Sequence, residues 1–195
     1  GIRGRGYPAD TLYRYHYFLQ RAEQLEMHTD VVFYMDVDLD VGESVTPEEV
    51  SPTESRPLVA VRHPLQNHGG TPEIRPSSRA FIPPSLPRPC YVAGGFVGGR
   101  TPEFLGMSRE IARGIDEDDD GEVVAVWHDE SHLNRFFSSN TALFRVLPPS
   151  YLYPETWNIS YGARITVRRI PHGDNRFATE SFAAVCGWVR GGACE

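Results

Sequence analysis

The segment Val31-Val32-Phe33-Tyr34-Met35-Asp36-Val37-Asp38 is a short apolar run that stops abruptly at a pair of carboxylates. Such a run predicts a strand that is buried on both faces. Alternate residues of an extended chain point the same way, so Asp36 and Asp38 are expected to converge at the strand end, where open α/β sheets bind ligands. Two carboxylates there suit Mg²⁺ or Mn²⁺ bound to a diphosphate. A solvated, Asp-rich turn is the alternative that the motif alone leaves open.

Helices and strands alternate on both sides of this segment. Upstream, apolar residues at three- and four-residue steps predict one helix from Asp10 or Thr11 to about Met27. Downstream, the expected elements are an exposed loop at residues 42–57, a strand at 58–61, a long loop at 66–89, a Gly-containing extended segment at 91–96, a helix from 101 to the acidic run at 116, a strand at 123–126, a helix at 129–137 and a strand at 143–146. This alternation predicts an α/β fold.

Length and charge narrow the classes of function. The 195 residues leave room for one good-sized domain. The net charge of −7 disfavours a nucleic-acid partner held by bulk electrostatics. All 19 basic residues are Arg, which excludes a Schiff-base lysine and a Walker A phosphate loop. No apolar run approaches the roughly 18 residues that a membrane span needs, so we expect no transmembrane segment in this chain.

An acidic run at residues 116–121 imitates the opening of a calcium loop. It places Asp at the first, third and fifth positions and Gly at the sixth. The twelfth position, however, is Trp127, where an EF-hand requires a bidentate Glu. We therefore interpret the run as a solvated helix end.

The densest polar cluster is Trp127-His128-Asp129-Glu130-Ser131-His132-Leu133-Asn134. Its two histidines are four residues apart and could share a zinc ion on a helix. Metalloproteases, however, place their Glu directly after the first His, whereas Glu130 follows two residues later, so a zinc hydrolase is disfavoured. On local evidence, a polar first helical turn capped by Asp129 and a functional site are equal interpretations.

Several segments in the same order resemble glycosyltransferase family 6, the retaining α-1,3-galactosyl- and N-acetylgalactosaminyltransferases that include the ABO blood-group enzymes and bacterial relatives. The matching segments are residues 34–38, 73–76 with 80–83, 94–99, 127–134 and 147–155. The string at 127–134 is highly specific, whereas an Asp-X-Asp motif alone occurs in many nucleotide-sugar enzymes. The resemblance implies a GT-A-like mixed sheet flanked by helices, and transfer of galactose or N-acetylgalactosamine from UDP to a galactoside, fucosylated or not.

The resemblance also implies roles for individual residues. Glu130 matches the catalytic carboxylate, which acts either as a nucleophile or as a stabiliser of an oxocarbenium-like centre. Asp36 and Asp38 match the ligands of Mn²⁺ or Mg²⁺ on the UDP diphosphate. The remaining donor-side positions are Arg14, Val37, Ala93, Gly94, Gly95 and Asp129, and the acceptor-side positions are His63, Trp127 and Glu155. Without the resemblance, an exposed helix arginine would be the favoured interpretation of Arg14.

Family members have a further half-domain before the position that matches Gly1, with much of the uridine site. The resemblance therefore implies a partial GT-A-like catalytic domain at residues 1–157, truncated in its nucleotide-binding half, and a C-terminal tail at residues 158–195 without a predicted structure. The alternative function is a catalytically weak carbohydrate- or metal-binding fragment. The compartment stays open: cytoplasmic for a bacterial-like member, the Golgi lumen for an animal-like one.

Overall fold

The computed structural model describes residues 6, 8–42, 45–64, 70–156 and 162–168, together with the backbone of residues 184–188. Within these residues the helices are α1 Ala9–Leu12, α2 Arg14–Leu19, α3 Ala22–His28, α4 Pro47–Val50, α5 Thr101–Asp120 and α6 His128–Ser139. The strands are β1 Val31–Met35, β2 Leu39–Val41, β3 Leu58–Arg62, β4 Val92–Arg100, β5 Phe144–Leu147, β6 Tyr153–Pro154, β7 Ile165–Val167 and β8 Ala184–Trp188. None of the helices in these ranges is both long enough and apolar enough to cross a bilayer.

The main sheet has the strand order β5-β3-β4-β1-β8. The strands β3 and β5 pair in parallel, and the other neighbours pair antiparallel. A second sheet, β2-β7-β6, lies beside it and combines both kinds of pairing. The predicted mixed α/β sheet flanked by helices is therefore confirmed.

The alternation of side chains along the strands divides the core into two layers. On one face of the sheet, Val32 and Tyr34 of β1 pack with helical side chains such as Phe104 of α5. On the other face, Phe33 packs with β-strand residues that include Ile165 of the small sheet. Val32, Phe33 and Tyr34 are all buried, as predicted for a strand covered on both sides.

The single helix predicted up to Met27 is wrong in its continuity. The chain forms three short helices instead, because the backbone leaves the helical region at Tyr13 and again at Arg21. Of the predicted apolar stripe, Leu12 and Tyr15 are buried, whereas Leu19, Ala22 and Leu25 are only half-buried and the predicted end, Met27, is 62% exposed. The first break places Arg14 at the start of a new helix that faces the sheet.

Two predictions around the acidic run also fail. Helix α5 does not end at Asp116 but continues to Asp120, and Asp118 inside it is buried rather than solvated. Its carboxylate accepts hydrogen bonds of 2.5 Å from the hydroxyl of Ser78 and the main-chain N–H of Arg79. Because these five acidic residues are helical, they do not form a calcium loop.

The expected strand at residues 123–126 is absent. Its backbone is bound by side chains of the long loop instead: Glu73 accepts a hydrogen bond from the N–H of Val126, and Arg75 donates one to the carbonyl of Val124. Hydrogen bonds from Arg75 lower the pKa of the buried Glu73 carboxyl to about 2. Side chains of the loop therefore supply the hydrogen-bond partners that a neighbouring strand would otherwise give to the backbone of residues 123–126.

The other elements follow the prediction with small shifts. The strands β3 and β5 and the helix α6 lie where they were expected, and α4 interrupts the loop expected at residues 42–57. Beyond residue 157, β7 joins the small sheet and β8 forms an edge of the main sheet beside β1. Both strands of the tail thus pair with strands that precede residue 157.

Candidate active site

The centre of the candidate site is an irregularity in β4. Strand β3 pairs Ala60 with Val97 but the next residue, Val61, with Ala93, so residues 94–96 have no counterpart on β3. On the opposite edge of β4, β1 ends at Met35, which pairs with Phe96. Such bulges are frequent next to active sites, because they release backbone groups from the sheet. Here the bulge leaves the N–H and carbonyl groups around Gly94 unpaired with β3.

Two side chains of helix α6, one turn apart, bind the backbone of this released edge. Glu130 accepts a hydrogen bond of 2.7 Å from the N–H of Gly94. Asn134 bonds both the N–H and the carbonyl of Val92, at 2.9 and 2.8 Å. Four residues of a helix rise about 6 Å and two residues of a strand about 6.6 Å, so side chains at positions i and i+4 can meet strand residues two apart. The geometry fixes the catalytic candidate Glu130 to the sheet.

This contact gives a first testable consequence. Replacing Asn134 with Ala removes three hydrogen bonds and leaves both polar groups of Val92 without a partner. We expect a loss of about 2 kcal/mol in the free energy of unfolding, measured by urea denaturation. The control is Asn140→Ala, which removes a single bond to a carbonyl within its own helix. Equal losses in the two variants would show that Asn134 has no special role in holding α6 to β4.

Arg14 contacts the bulge of β4 at Gly94, the end of β1 at Asp36 and the helix α6 at Asp129. Its guanidinium donates a hydrogen bond of 2.8 Å to the carbonyl of Gly94 and lies 3.5 Å from a carboxylate oxygen of Asp36. The Nε atom lies 2.9 Å from Oδ2 of Asp129, but the angle makes this contact an ion pair rather than a hydrogen bond. Arg14 is 8% exposed, so the alternative of an exposed helix arginine is wrong. Although burial lowers its pKa, the charge of Asp129 and the neighbouring groups raise it above the ordinary value.

Asp36 and Asp38 lie at the end of β1, as predicted. One oxygen of Asp36, Oδ1, is engaged by the hydroxyl of Tyr34 and by Arg14, whereas Oδ2 has no hydrogen-bond donor among the described residues. Burial, and then the charge of Asp36, raise the pKa of Asp38. Two close carboxylates with an open oxygen fit a divalent cation that takes its remaining ligands from a diphosphate. The described residues contain no cluster of three or more His, Cys, Asp or Glu that would hold a metal alone.

Gly95 permits the close approach of the backbone to this carboxylate. A Cβ atom at position 95 would lie 2.7 Å from Oδ2 of Asp36, closer than real Cβ contacts. Of the other predicted donor residues, Val37 is 60% exposed at the turn and Ala93 is buried in the core layer that faces the small sheet. The structure therefore brings Arg14, Asp36, Gly94, Asp129 and Glu130 together, with Val37 and Ala93 beside them.

Asp129 is the most deeply buried acid of the site, with 1% of its surface exposed. Neither carboxylate oxygen has a hydrogen-bond partner among the described residues. It follows His128, whose φ of 48° is the left-handed conformation, a strained arrangement typical of functional segments. Burial raises the pKa of Asp129 from 3.8 to about 7, and the carboxylates of Glu130 and Asp36 add to the shift, while Arg14 opposes it.

The raised pKa of Asp129 predicts a pH dependence of stability. The folded chain retains this proton where the unfolded chain has lost it, so the contribution is complete below about pH 4 and is lost as the pH rises through 7. Asp129→Asn cannot titrate. We expect the stability of the wild type, relative to this variant, to fall between pH 4 and pH 8 in denaturant titrations. A constant difference across that range would contradict the assignment.

The predicted acceptor residues border the site on two sides. His63 follows β3, its N–H donates to the carbonyl of Tyr91, and the two rings are in edge contact. Burial lowers the pKa of His63, while the charge of Glu130 raises it, which places the imidazole within electrostatic reach of the candidate catalytic group. Trp127 is half-exposed directly before α6. Glu155 forms an ion pair with Arg168.

Three contacts had no place in the sequence-based prediction. Tyr34 stacks against Arg14, with 4.3 Å from the guanidinium carbon to the ring centroid, and donates to Asp36. Its position two residues before Asp36 on one strand face could have indicated this contact. His132, considered above as a zinc ligand, instead lies buried 3.4 Å from Asp118. No local sequence signal pointed to that pair or to Arg168.

Comparisons with protein families and with curated proteins both identify the same kind of enzyme. The model of glycosyltransferase family 6 matches residues 15–173. The chain is 31% identical over 137 residues to histo-blood group ABO system transferase 1 of Rattus norvegicus, covering 68% of this chain and 37% of that protein. It is 31% identical over 140 residues to globoside alpha-1,3-N-acetylgalactosaminyltransferase 1 of Homo sapiens, covering 69% and 38%. The chain thus spans less than half the length of the curated relatives that it matches.

Proposed function

The chain belongs to glycosyltransferase family 6, and from that premise we propose that it transfers galactose or N-acetylgalactosamine from a UDP-sugar to a galactoside, in α-1,3 linkage and with retention of configuration. The mixed sheet flanked by helices agrees with a GT-A-like fold. Two of the curated relatives are named for α-1,3 transfer, one of N-acetylgalactosamine and one of galactose. The donor is therefore left as either of these two sugars.

One observation carries the proposal: Arg14 links the strand that ends in Asp36 to the helix that carries Asp129 and Glu130. These residues are distant in sequence: Asp36, Asp129 and Glu130 belong to segments that match the family, and Arg14 lies directly before the match at residues 15–173. Their convergence on the Gly94 peptide supports a single site in which a cation-binding pair and a candidate catalytic carboxylate face the same space. The resemblance alone did not require this side-chain geometry.

The reaction breaks the bond between the anomeric carbon and the β-phosphate, and the electron pair leaves with UDP. Asp36 and Asp38 would hold Mn²⁺ or Mg²⁺, which supplies Lewis-acid stabilisation of the departing diphosphate. Arg14, held in place by Asp129 and Gly94, adds positive charge beside that group. Positive charge develops at the anomeric carbon and favours a carboxylate nearby, which is the role we assign to Glu130, as nucleophile or as electrostatic stabiliser.

The donor sugar itself has suitable partners in the site. Neither carboxylate oxygen of Asp129 accepts a hydrogen bond from a described residue, although Oδ2 is paired with Arg14, and sugar hydroxyls are donors of the right kind. The lack of a side chain at Gly95 leaves room for the carboxylate of Asp36, whose Oδ2 would lie 2.7 Å from a Cβ atom at that position. We propose that UDP-N-acetylgalactosamine and UDP-galactose are both accepted, because curated relatives are named for transfer of each sugar. The proposed acceptor residues are His63, Trp127 and Glu155.

The proposal is tested by release of UDP from the two donors, with lactose as the acceptor, in Mn²⁺ and then in excess chelator. We expect release that requires both lactose and metal, and a product whose new linkage is α by NMR. Binding of lactose without any release of UDP, by a chain with a cooperative thermal transition, would favour the alternative of a carbohydrate-binding fragment. A β-linked product would contradict the retaining mechanism.

A further inference from the structure

A cavity of about 300 Å³ lies between α5 and α6, on the side of α6 that turns away from β4. Successive residues of a helix are about 100° apart, so His132 points about 200° away from Glu130, and Arg135 follows His132 by nearly one turn. His132 and Arg135 line the cavity, whereas Glu130 and Asn134 bind β4. The cavity is therefore separate from the candidate active site.

Gly114 of α5 opens this cavity to the imidazole of His132. A Cβ atom at position 114 would stand 3.2 Å from Nδ1 of His132, which is tighter than most real Cβ contacts. Glycine is unfavourable inside a helix, and Gly114 lies well within the 20-residue helix α5. The missing side chain leaves the imidazole at a cavity that is also lined by the buried side chains of Ile111 and Phe136.

The imidazole of His132 is buried without a full set of partners. Its side chain is 3% exposed, and its Nε2 atom has no hydrogen-bond partner among the described residues. The carboxylate of Asp118 lies 3.4 Å from Nε2, but it is already engaged by the hydroxyl of Ser78 and the N–H of Arg79. A buried polar atom without a partner is uncommon in proteins, and a bound ion is one of its explanations.

Three guanidinium groups line the cavity, one from the long loop, one from α5 and one from α6: Arg79, Arg113 and Arg135. Glu117 compensates two of them, because it lies 2.7 Å from Arg79 and 4.0 Å from Arg113. The half-buried Arg135 donates to the hydroxyl of Ser139 but forms no ion pair with a described acid. Glu110 also lines the cavity, but it is exposed, so its charge is screened more than that of Arg135.

We propose that this cavity binds a small oxyanion, the phosphate, sulfate or carboxylate group of a ligand, between the guanidinium of Arg135 and the imidazole of His132. A guanidinium presents a planar fork of N–H donors that matches such a group, and the bonds are strengthened by the opposite charges. The imidazole supplies a further donor at the buried end of the cavity. The inference does not depend on the proposed function.

The protonation of His132 is part of this site. Only an imidazole with two protons can face Asp118 with one N–H and offer the other to an anion. Burial lowers the pKa of His132, whereas the charges of Asp118, Asp119 and Glu73 raise it. The three guanidinium groups of the cavity oppose protonation, and a bound anion would favour it. We therefore expect the anion to bind more tightly as the pH falls from about 8 to about 6.

The test titrates inorganic sulfate into the ¹⁵N-labelled chain at constant ionic strength and follows the amide signals by NMR. Sulfate keeps its charge across this pH range, so any pH dependence belongs to the protein. We expect saturable shifts of the Gly114 and Arg135 amides, but not of the Gly94 amide, with a dissociation constant of about 1 mM or tighter at pH 6. Phosphate and acetate, titrated in the same way, distinguish a phosphate-bearing ligand from a carboxylate.

The variants are chosen to shift the affinity in opposite directions. Arg135→Gln should weaken sulfate binding about tenfold, because a charge-assisted bond is lost. Glu110→Gln should tighten it about two- to threefold, because an opposing carboxylate is removed. His132→Gln should bind weakly and without the pH dependence. The matched control is Arg109→Gln: Arg109 lies on α5 but pairs with Glu26 of α3, so the affinity should stay within about 1.5-fold.

Three results would overturn the inference. The first is sulfate that shifts only the amides around Gly94, or none at all. The second is an equal affinity in the wild type and the Arg135→Gln variant, or an equal loss in the Arg109→Gln variant. The third is an affinity that is the same at both pH values, which would remove His132 from the site. Each of these leaves the proposed function standing, because release of UDP does not require the cavity.

Discussion

Replacing Glu130 with Gln is expected to reduce transfer about a thousandfold. Among the described acids of the site, only Glu130 accepts a hydrogen bond from the released β4 edge, through the N–H of Gly94. The amide oxygen of Gln can still accept that bond, so the fold and the position of the side chain are preserved while the negative charge is lost. The rate of UDP release under saturating donor and acceptor measures the effect.

Two controls make the result specific to the charge of Glu130. Glu110→Gln removes an exposed carboxylate from the outer face of α5 and should leave the rate within a factor of about two. Binding of UDP and Mn²⁺ should be unchanged in the Glu130→Gln variant, because the proposed cation ligands, Asp36 and Asp38, are on another segment. Turnover within tenfold of the wild type, with the fold intact, would remove Glu130 from its catalytic role.

The sequence predicted the elements whose burial follows from local patterns. A continuous apolar run gave β1, and the Thr-Pro-Glu start with apolar residues at helical spacing gave α5, with Phe104, Ile111 and Ile115 buried. The helix predicted at residues 129–137 corresponds to α6, but the prediction that Asp129 caps it is wrong, because the N-cap is Trp127 and no side chain forms a capping bond. In each of these segments the local preference and the tertiary packing agree, which is the condition under which local patterns are reliable.

The failures have non-local causes. No Pro or Gly marks the helix break at Tyr13, whose hydroxyl instead reaches Asp119 on α5. The apolar stretch at residues 123–126 has strand propensity, but Glu73 and Arg75 take its backbone groups. The pairings of β8 with β1 and of β7 with β2 join residues more than 120 positions apart in the chain, and short runs at that separation carry no local signal for the pairing.

The candidate site was predictable where chemistry resides in single residues. Asp36 and Asp38 could be proposed as cation ligands from the end of an apolar strand. The polar cluster at 127–134 left a capped helical turn and a functional site equal, and the role of Glu130 came from the family resemblance. The residues that hold them in position could not be identified from local sequence. The role of Asn134 depends on β1 ending opposite Phe96, so that Val92 has no strand partner on that edge. That condition arises only in the assembled sheet.

Replacing Arg14 with Met is expected to cost about 3 kcal/mol of folding free energy at pH 8. The substitution leaves Asp129 buried beside two other carboxylates, with no cation to compensate it. Because a buried acid without a partner takes up a proton, the cost should be clearly smaller at pH 5.5, where protonation is easier. Urea denaturation at the two pH values measures the difference, and equal costs would contradict an electrostatic origin.

The double variant Arg14→Met with Asp129→Asn separates charge from packing. If the ion pair dominates, the Asn substitution removes the stranded charge, and the double variant should lose less stability at pH 8 than Arg14→Met alone. Arg21→Met, which removes an exposed arginine whose side chain donates only to Gln24 among the described residues, should change stability by less than about 0.5 kcal/mol. A double variant that is no more stable than Arg14→Met would show that Arg14 stabilises the fold through its buried methylene groups and its bond to Gly94. The carboxylate of Asp129 would then serve binding rather than folding.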